Sequence, residues 1–243
     1  MSIVSDEISY RVGEREYRGY QAFDDSKPGS RPGIIVVHEW WGLNEYILKR
    51  THMLAEQGYF VLAIDMYGEG RVGSSPDEAA ALMNGVLDDM DAGESLLKAG
   101  YQTLLEQELV DDTRTAAIGY CFGGGMALHM ARIGMPLKAV VSFHGSLNAF
   151  HRAEPGTIKP EILLCHGKSD SMVKMNAVEA FEGEMKLAQA NYQILLLEGA
   201  KHGFSNLQSD INAELYGIDL GYSQSADRAS WSAMLTLLNK VFK

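Results

Sequence analysis

Residues 115–133 read TAAIGYCFGGGMALHMARI, and this stretch carries most of the information about the fold. Thr115–Ile118 is a short apolar run typical of a buried strand, whereas Phe122–Ile133 has the pattern of a helix. Between them, a Gly-x-Cys-x-Gly segment presents one nucleophilic side chain, Cys121. A sharp turn from strand to helix would project this side chain into a pocket, and the turn needs glycines because it leaves no room for side chains.

Short apolar runs alternate with longer helical patterns along the rest of the chain. The predicted strands are Ile8–Val12, Tyr17–Phe23, Ile34–Val37, Phe60–Ile64, Thr115–Ile118, Ala139–Phe143, Ile162–Cys165 and Gln193–Leu197. The first two are separated by a turn at Gly13 and should form a hairpin. The other six are continuous apolar runs, as expected of strands that helices cover on both faces.

The predicted helices fall between these strands. They are Glu45–Gln57, Pro76–Leu87, Asp91–Glu106, Phe122–Ile133, Lys174–Ala190 and Ala226–Phe242. This alternation predicts a mostly parallel sheet with right-handed crossovers. We therefore expect a single α/β domain over residues 1–243, with an eight-stranded sheet flanked by helices on both faces.

Composition narrows the class of protein. A chain of 243 residues can bury a sizeable core without disulfides or metals. Its net charge of -11 disfavours binding to nucleic acid or anionic membranes, which requires clustered Lys and Arg. We expect a cytoplasmic protein with reduced cysteines, because the sequence shows no secretory signal and no apolar run of the ~18 residues that span a membrane.

A base and its orienting acid follow two later strands. Asp170 lies in HGKSD and His202 in GAKHGF, and polar residues after parallel strands meet at one edge of a sheet. The order nucleophile, acid, histidine is that of α/β-hydrolases, so we predict a triad of Cys121, His202 and Asp170. Taken singly, Asp170 is better explained as a helix cap and His202 as a loop histidine, and only the combination of the three residues favours a triad.

Other candidate residues carry less information. His144 follows the strand Ala139–Phe143 and is a candidate for lining the substrate pocket. Cys165 ends another apolar run and should pack in the core. No spacing of His, Cys and Asp resembles a zinc site, and the glycine run lacks the Gly-Lys-Ser/Thr ending of a Walker A loop, so we expect no metal and no cofactor.

Several motifs together resemble the dienelactone hydrolase family of α/β-hydrolases. They are HEWWGLN at 38–44, AIDMYG at 63–68, DMDAG at 89–93, GYCFGG at 119–124, HGKSD at 166–170 and GAKHGF at 199–204. The resemblance implies the same triad. It also implies that Glu39 contacts the resting thiol and regulates its ionisation, and that the backbone N–H groups of Phe122 and Trp40 form the oxyanion hole. Without the resemblance, Glu39 is also explained as a cap for the helix at Glu45.

The sequence departs from the family at the positions of the two residues that bind the substrate carboxylate. Members that act on dienelactone hold this group with two arginines, but one of these positions is Asn206 here and the helical stretch Pro76–Met90 contains no Arg or Lys. This difference argues against an anionic substrate. Trp40 and Trp41 instead indicate an aromatic-walled pocket.

We therefore expect a hydrolase that cleaves small neutral esters or lactones through an acyl-thioester on Cys121. Three alternatives stay open: the same triad acting on another electrophile such as a phosphotriester, a non-catalytic binding module on the same fold, and a redox sensor. The sensor would lack a C-x-x-C partner for its thiol. The sequence sets neither the natural substrate nor the oligomeric state.

Overall fold

The structure, a computed structural model, describes residues 2–243. Its strands are β1 (Ile3–Val12), β2 (Arg15–Asp24), β3 (Arg31–Val37), β4 (Phe60–Ile64), β5 (Val110–Tyr120), β6 (Ala139–Phe143), β7 (Glu161–Gly167) and β8 (Tyr192–Leu197). Its helices are α1 (Glu45–Glu56), α2 (Pro76–Leu87), α3 (Met90–Leu105), α4 (Phe122–Arg132), α5 (Met175–Leu187), α6 (Ser209–Tyr216) and α7 (Gln224–Val241).

The strands form an eight-stranded sheet in the order β1-β2-β4-β3-β5-β6-β7-β8. Strand β2 is antiparallel to both β1 and β4, whereas β3 with β4, β6 with β7, and β7 with β8 are parallel pairs. The predicted fold class, a mostly parallel sheet of eight strands in an α/β fold, is confirmed. Among residues 2–243, no helix is long and apolar enough to cross a membrane.

Three elements differ most from the sequence-based expectation. Strands β1 and β5 begin at Ile3 and Val110, each five residues before its predicted start, because the polar segments Ser5–Glu7 and Asp111–Arg114 do not fit an apolar run. Helix α6 was not predicted at all. Only Ser209 of its eight residues is buried, so the helix has no buried apolar stripe to reveal it.

Contacts divide the chain into two compact units, Met1–Ala117 and Ile118–Lys243. The prediction of one domain over the whole chain stays a prediction. The first unit opens with the predicted hairpin, in which Val12 pairs with Arg15 and Gly13 adopts a φ of 59°. Its core contains the completely buried segments Ile34–Val37 and Val61–Ile64.

The loop after β4 is organised by one buried carboxylate, that of Asp65. Its Oδ1 accepts hydrogen bonds from the N–H groups of Tyr67 (2.8 Å) and Gly68 (2.9 Å). Its Oδ2 accepts from the N–H groups of Gly70 (2.9 Å) and Arg18 (3.1 Å), which ties the loop to strand β2. A single side chain therefore satisfies four backbone donors and fixes the course of the loop.

We expect Asp65→Ala to lower the free energy of unfolding by about 3 kcal/mol, because it leaves buried donors without an acceptor. Urea denaturation followed by circular dichroism measures the loss. Asp25→Ala is the matched control, since Asp25 is exposed and only its backbone N–H forms a hydrogen bond. Equal stability of the two variants would show that Asp65 does not hold the loop.

In the second unit, α4 is buried along its whole length. Its glycines allow close packing: a Cβ on Gly124 would lie 2.7 Å from the Cα of Gly145. At its far end, the buried Arg132 guanidinium makes two hydrogen bonds to the Glu184 carboxylate, of 2.8 and 2.9 Å. A helix held this firmly gives the residue at its N-terminus, Cys121, a fixed position.

Candidate active site

Cys121 occupies a strained turn between β5 and α4. Its φ of 54° and ψ of -118° lie outside the regions that L-residues favour. The Cys121 N–H donates to the Phe143 carbonyl (3.0 Å), and the Cys121 carbonyl accepts from the N–H of Ser146 (3.3 Å). A Cβ at Gly119 would lie 1.9 Å from the Gly123 carbonyl oxygen, so the predicted need for glycine before the cysteine is confirmed at this position.

His202 lies between the thiol and a carboxylate. Its Nε2 is 3.2 Å from the Cys121 Sγ, and its Nδ1 donates to the Asp170 Oδ2 at 2.8 Å. The structure therefore brings together the three side chains that the sequence analysis grouped as a triad. His202 and Asp170 are both buried, whereas Cys121 is partly accessible.

Asp170 is held by its own turn as well as by the histidine. Its Oδ1 accepts from the N–H groups of Met172 and Val173, both at 2.8 Å. The alternative that Asp170 caps α5 is wrong, because the N-cap of this helix is Lys174. The two backbone bonds aim the second oxygen of the carboxylate at His202.

The charges of the three groups are strongly linked. Burial alone lowers the pKa of His202, but the Cys121 thiolate and the Asp170 carboxylate outweigh this effect and raise it to about 10. Burial tends to raise the pKa of Asp170, and its hydrogen bond to His202 and the imidazolium charge bring that pKa below its usual value. This arrangement favours the protonated form of His202 beside the Asp170 carboxylate.

His144 packs behind the site. Its side chain is fully buried, its Nε2 is 2.8 Å from the Ser205 Oγ, and its ring centroid is 5.3 Å from that of His202. Phe204 contacts the same ring edge-on at 4.9 Å. The geometry indicates support of the His202 ring, and lining of the pocket by His144 stays a prediction. Sequence reasoning missed Ser205, because no motif connects it to a histidine so far along the chain.

The predicted residues after β3 belong to the first unit. Glu39 is buried, and its carbonyl accepts hydrogen bonds from the Gly42 N–H and from Nδ1 of His38. Glu39 does not cap α1, because Asn44 does so by accepting from the Ile47 N–H. The alternative explanation of Glu39 as a helix cap is therefore wrong.

The aromatic pair that follows Glu39 is only partly accessible. The rings of Trp40 and Trp41 pack edge-to-face with centroids 5.0 Å apart, and Trp41 is buried whereas Trp40 is half-buried. The pocket role of Trp41 stays a prediction.

The remaining candidates have structural surroundings. Cys165 is a buried free thiol in β7, and burial raises its pKa, as expected of a core residue. Asn206, which stands where the resemblance would place an arginine, is buried and its Oδ1 accepts from the Gln208 N–H. Among residues 2–243, no group of three or more His, Cys, Asp or Glu side chains is arranged to hold a metal ion.

Known proteins resemble this chain over most of its length. A model of the dienelactone hydrolase family matches residues 18–242. A putative carboxymethylenebutenolidase of Yersinia pestis is 27% identical, covering 78% of this chain and 74% of its own. The solved structure of m3DLH has 34% identity, a TM-score of 0.92 and 99% coverage of both chains. A dienelactone hydrolase-like promiscuous phosphotriesterase from metagenomic libraries has 31% identity, a TM-score of 0.91 and 100% coverage of both chains.

Proposed function

The chain belongs to the dienelactone hydrolase family and is an ester or lactone hydrolase, and from this premise we propose that it cleaves small neutral esters and lactones with Cys121 as nucleophile. The observation that carries the proposal is the continuous hydrogen-bonded chain from the Asp170 carboxylate through His202 to the Cys121 sulfur. The distances of 2.8 and 3.2 Å are those expected of a nucleophile, its base and an orienting group.

In the acylation step, the Cys121 thiolate attacks the substrate carbonyl carbon and forms a C–S bond. When the C–O bond of the ester breaks, the leaving alkoxide takes the proton from Nε2 of His202, giving an acyl-thioester and an alcohol. Asp170 keeps Nδ1 protonated, which leaves Nε2 as the nitrogen that exchanges the proton with the thiol and the leaving group.

In the deacylation step, neutral His202 takes a proton from water. The resulting hydroxide attacks the thioester carbonyl, the C–S bond breaks and the acid leaves. This step needs a neutral histidine. In the free enzyme, however, a pKa of about 10 keeps His202 protonated. Acylation removes the thiolate charge, so it also removes a main cause of that raised pKa.

We expect Cys121→Ser to reproduce this loss of charge and to lower the pKa of His202 by about one to three pH units. The sign follows from the neutral hydroxyl, which no longer stabilises the imidazolium. A titration of the imidazole signals by NMR measures the change. Cys165→Ala serves as the control, because it removes the other thiol without altering the triad. An unchanged pKa of His202 in Cys121→Ser would show that the thiolate does not raise the pKa of this histidine.

The proposal also assigns an oxyanion hole and a residue that regulates the thiol. Phe122 is the first residue of α4, where the helix dipole favours negative charge, which supports its N–H as an oxyanion donor. The donor role of the Trp40 N–H and the regulation of the thiol by Glu39 are carried over from the family resemblance. A cytoplasmic location remains a prediction.

Preference for neutral substrates follows from Asn206 and from the helix Pro76–Leu87, which lacks basic residues. The test compares aryl esters of equal size with and without a carboxylate on the acyl chain. We expect the neutral ester to have a kcat/KM at least tenfold higher. A preference for the anionic ester would overturn this substrate class while leaving the nucleophile assignment intact.

Phosphotriester cleavage is a second candidate, supported by the relative described as a promiscuous phosphotriesterase, which is 31% identical over the full chain. In this reaction Cys121 would attack phosphorus and displace an aryl alcohol. Release of the aryl alcohol from a neutral aryl dialkyl phosphate measures it. Release that persists in Cys121→Ala would rule out this use of the thiol.

A further inference from the structure

A cleft of about 220 Å³ lies within the unit that ends at Ala117. Its lining comes from β2, the loop after β4, α2 and α3, and includes none of the triad residues. Two arginines, Arg15 and Arg71, contribute to this lining together with one acidic residue, Asp89. The lining also includes three aliphatic side chains, those of Leu82, Val86 and Leu96.

The two guanidinium groups converge on one backbone oxygen. Nη2 of Arg15 donates to the Tyr67 carbonyl, and both Nε and Nη2 of Arg71 donate to the same carbonyl. The Arg15 guanidinium also lies over the Tyr17 ring, 5.5 Å from its centroid. These contacts use only some of the five N–H donors that each guanidinium carries.

Nearby acidic side chains offset the positive charge of this arginine pair only in part. Within residues 2–243, neither Arg15 nor Arg71 forms an ion pair with an Asp or Glu side chain, although acidic residues outnumber basic ones by 32 to 21 in the chain. Asp89 lines the same cleft, but its Oδ1 caps α3 by accepting from the Ala92 N–H at 3.0 Å. The Glu78 carboxylate interacts electrostatically with Arg71 without forming an ion pair with it. Two adjacent cations repel each other, and a bound anion would relieve this repulsion.

The arginines are also held in place before any ligand arrives. Asp65 binds the N–H groups of Tyr67 and Gly68, so the backbone whose carbonyl receives both guanidiniums is itself fixed. Such preorganisation lowers the entropic cost of binding. Neither Arg15 nor Arg71 stands at the positions where the family resemblance places its carboxylate-binding arginines, namely at Asn206 and within the stretch Pro76–Met90.

We propose that this cleft binds a small organic monocarboxylate with an aromatic or aliphatic body. The carboxylate lies against Arg15 and Arg71, which offer the planar donor pairs that suit this group. The body of the ligand packs against Leu82, Val86 and Leu96. An apolar cavity of about 150 Å³ holds benzene, so this cleft has room for an aromatic ring and its carboxylate.

Three aromatic probes of similar size test the chemistry on the unaltered protein: anionic benzoate, neutral benzamide and cationic benzylammonium. Each is titrated by isothermal calorimetry and by NMR of the amides of Gly85, Val86 and Gly93. We expect saturable binding of benzoate that weakens with salt, and at least tenfold weaker binding of the other two. Equal binding of benzamide, or tighter binding of benzylammonium, would overturn the proposal. This comparison does not depend on any variant folding correctly.

Substitution then locates the site. The double variant Arg15→Gln, Arg71→Gln should weaken benzoate binding at least tenfold. Arg11→Gln is the matched control, because it removes one positive charge from the same unit outside the cleft and should leave the affinity unchanged. Benzoate affinity that is equal in the wild type and the double variant would contradict the assignment to this cleft.

Discussion

Cys121→Ala should lower kcat/KM for a neutral aryl ester by about 10⁴-fold or more. The substitution removes the sulfur that forms the covalent bond. It leaves His202, whose Nε2 is 3.2 Å from that sulfur, without the thiol with which it exchanges a proton. What remains is the contribution of binding and of oxyanion stabilisation to attack by water. Steady-state kinetics with a chromogenic ester measures the loss.

The control for this prediction is Cys165→Ala, which removes a buried thiol of strand β7. This variant should keep its activity within a few-fold of the wild type, because burial keeps Cys165 away from substrate. Thermal unfolding of both variants verifies that the fold is intact. Full hydrolysis by a folded Cys121→Ala protein would rule out the nucleophile and leave the family assignment unaffected.

We expect Gly119→Ala to destabilise the turn between β5 and α4 strongly. The free energy of unfolding should fall by about 3 kcal/mol or more. The added Cβ would lie 1.9 Å from the Gly123 oxygen and 2.6 Å from the Gly124 nitrogen. Both atoms belong to backbone, which cannot move without displacing the first turn of α4. Chemical denaturation measures the change.

Gly183→Ala makes the same chemical change in a permissive place. Gly183 lies exposed within α5, and a Cβ there meets nothing within 4 Å. Because alanine favours the helix over glycine, we expect this variant to be about 0.5–1 kcal/mol more stable than the wild type. Similar stability changes in the two variants would show that the turn at Gly119 is not closely packed.

Much of this fold is visible in the sequence because its strands are buried on both faces. Phe60–Ile64 and Ala139–Phe143 were predicted with the bounds that the structure gives to β4 and β6, since each is an uninterrupted apolar run. Cys121, Asp170 and His202, which the structure brings together, could also be grouped from the sequence, because each lies in the segment that follows a strand of the parallel sheet. The pattern of apolar residues and the topology of a parallel sheet were together sufficient to predict these strands and the grouping of these side chains.

Features that depend on distant contacts were not predictable in this way. The carboxylate of Asp65 binds four backbone N–H groups, and backbone donors have no signature in sequence. Arg15 and Arg71 meet only because a hairpin strand and a loop converge on the Tyr67 carbonyl. Pattern reasoning detects periodicity and motifs, whereas these contacts arise from the packing of segments with no shared pattern.

The covalent intermediate is the most direct measure of whether Cys121 is the nucleophile. The enzyme is mixed with an ester whose thioester hydrolyses slowly, quenched in acid within the first turnover, and analysed by intact-protein and peptide mass spectrometry. We predict a mass increase equal to one acyl group, located on the peptide that contains Cys121 and absent from Cys121→Ala. Turnover without any adduct, or with the acyl group on another residue, would contradict a Cys121 thioester.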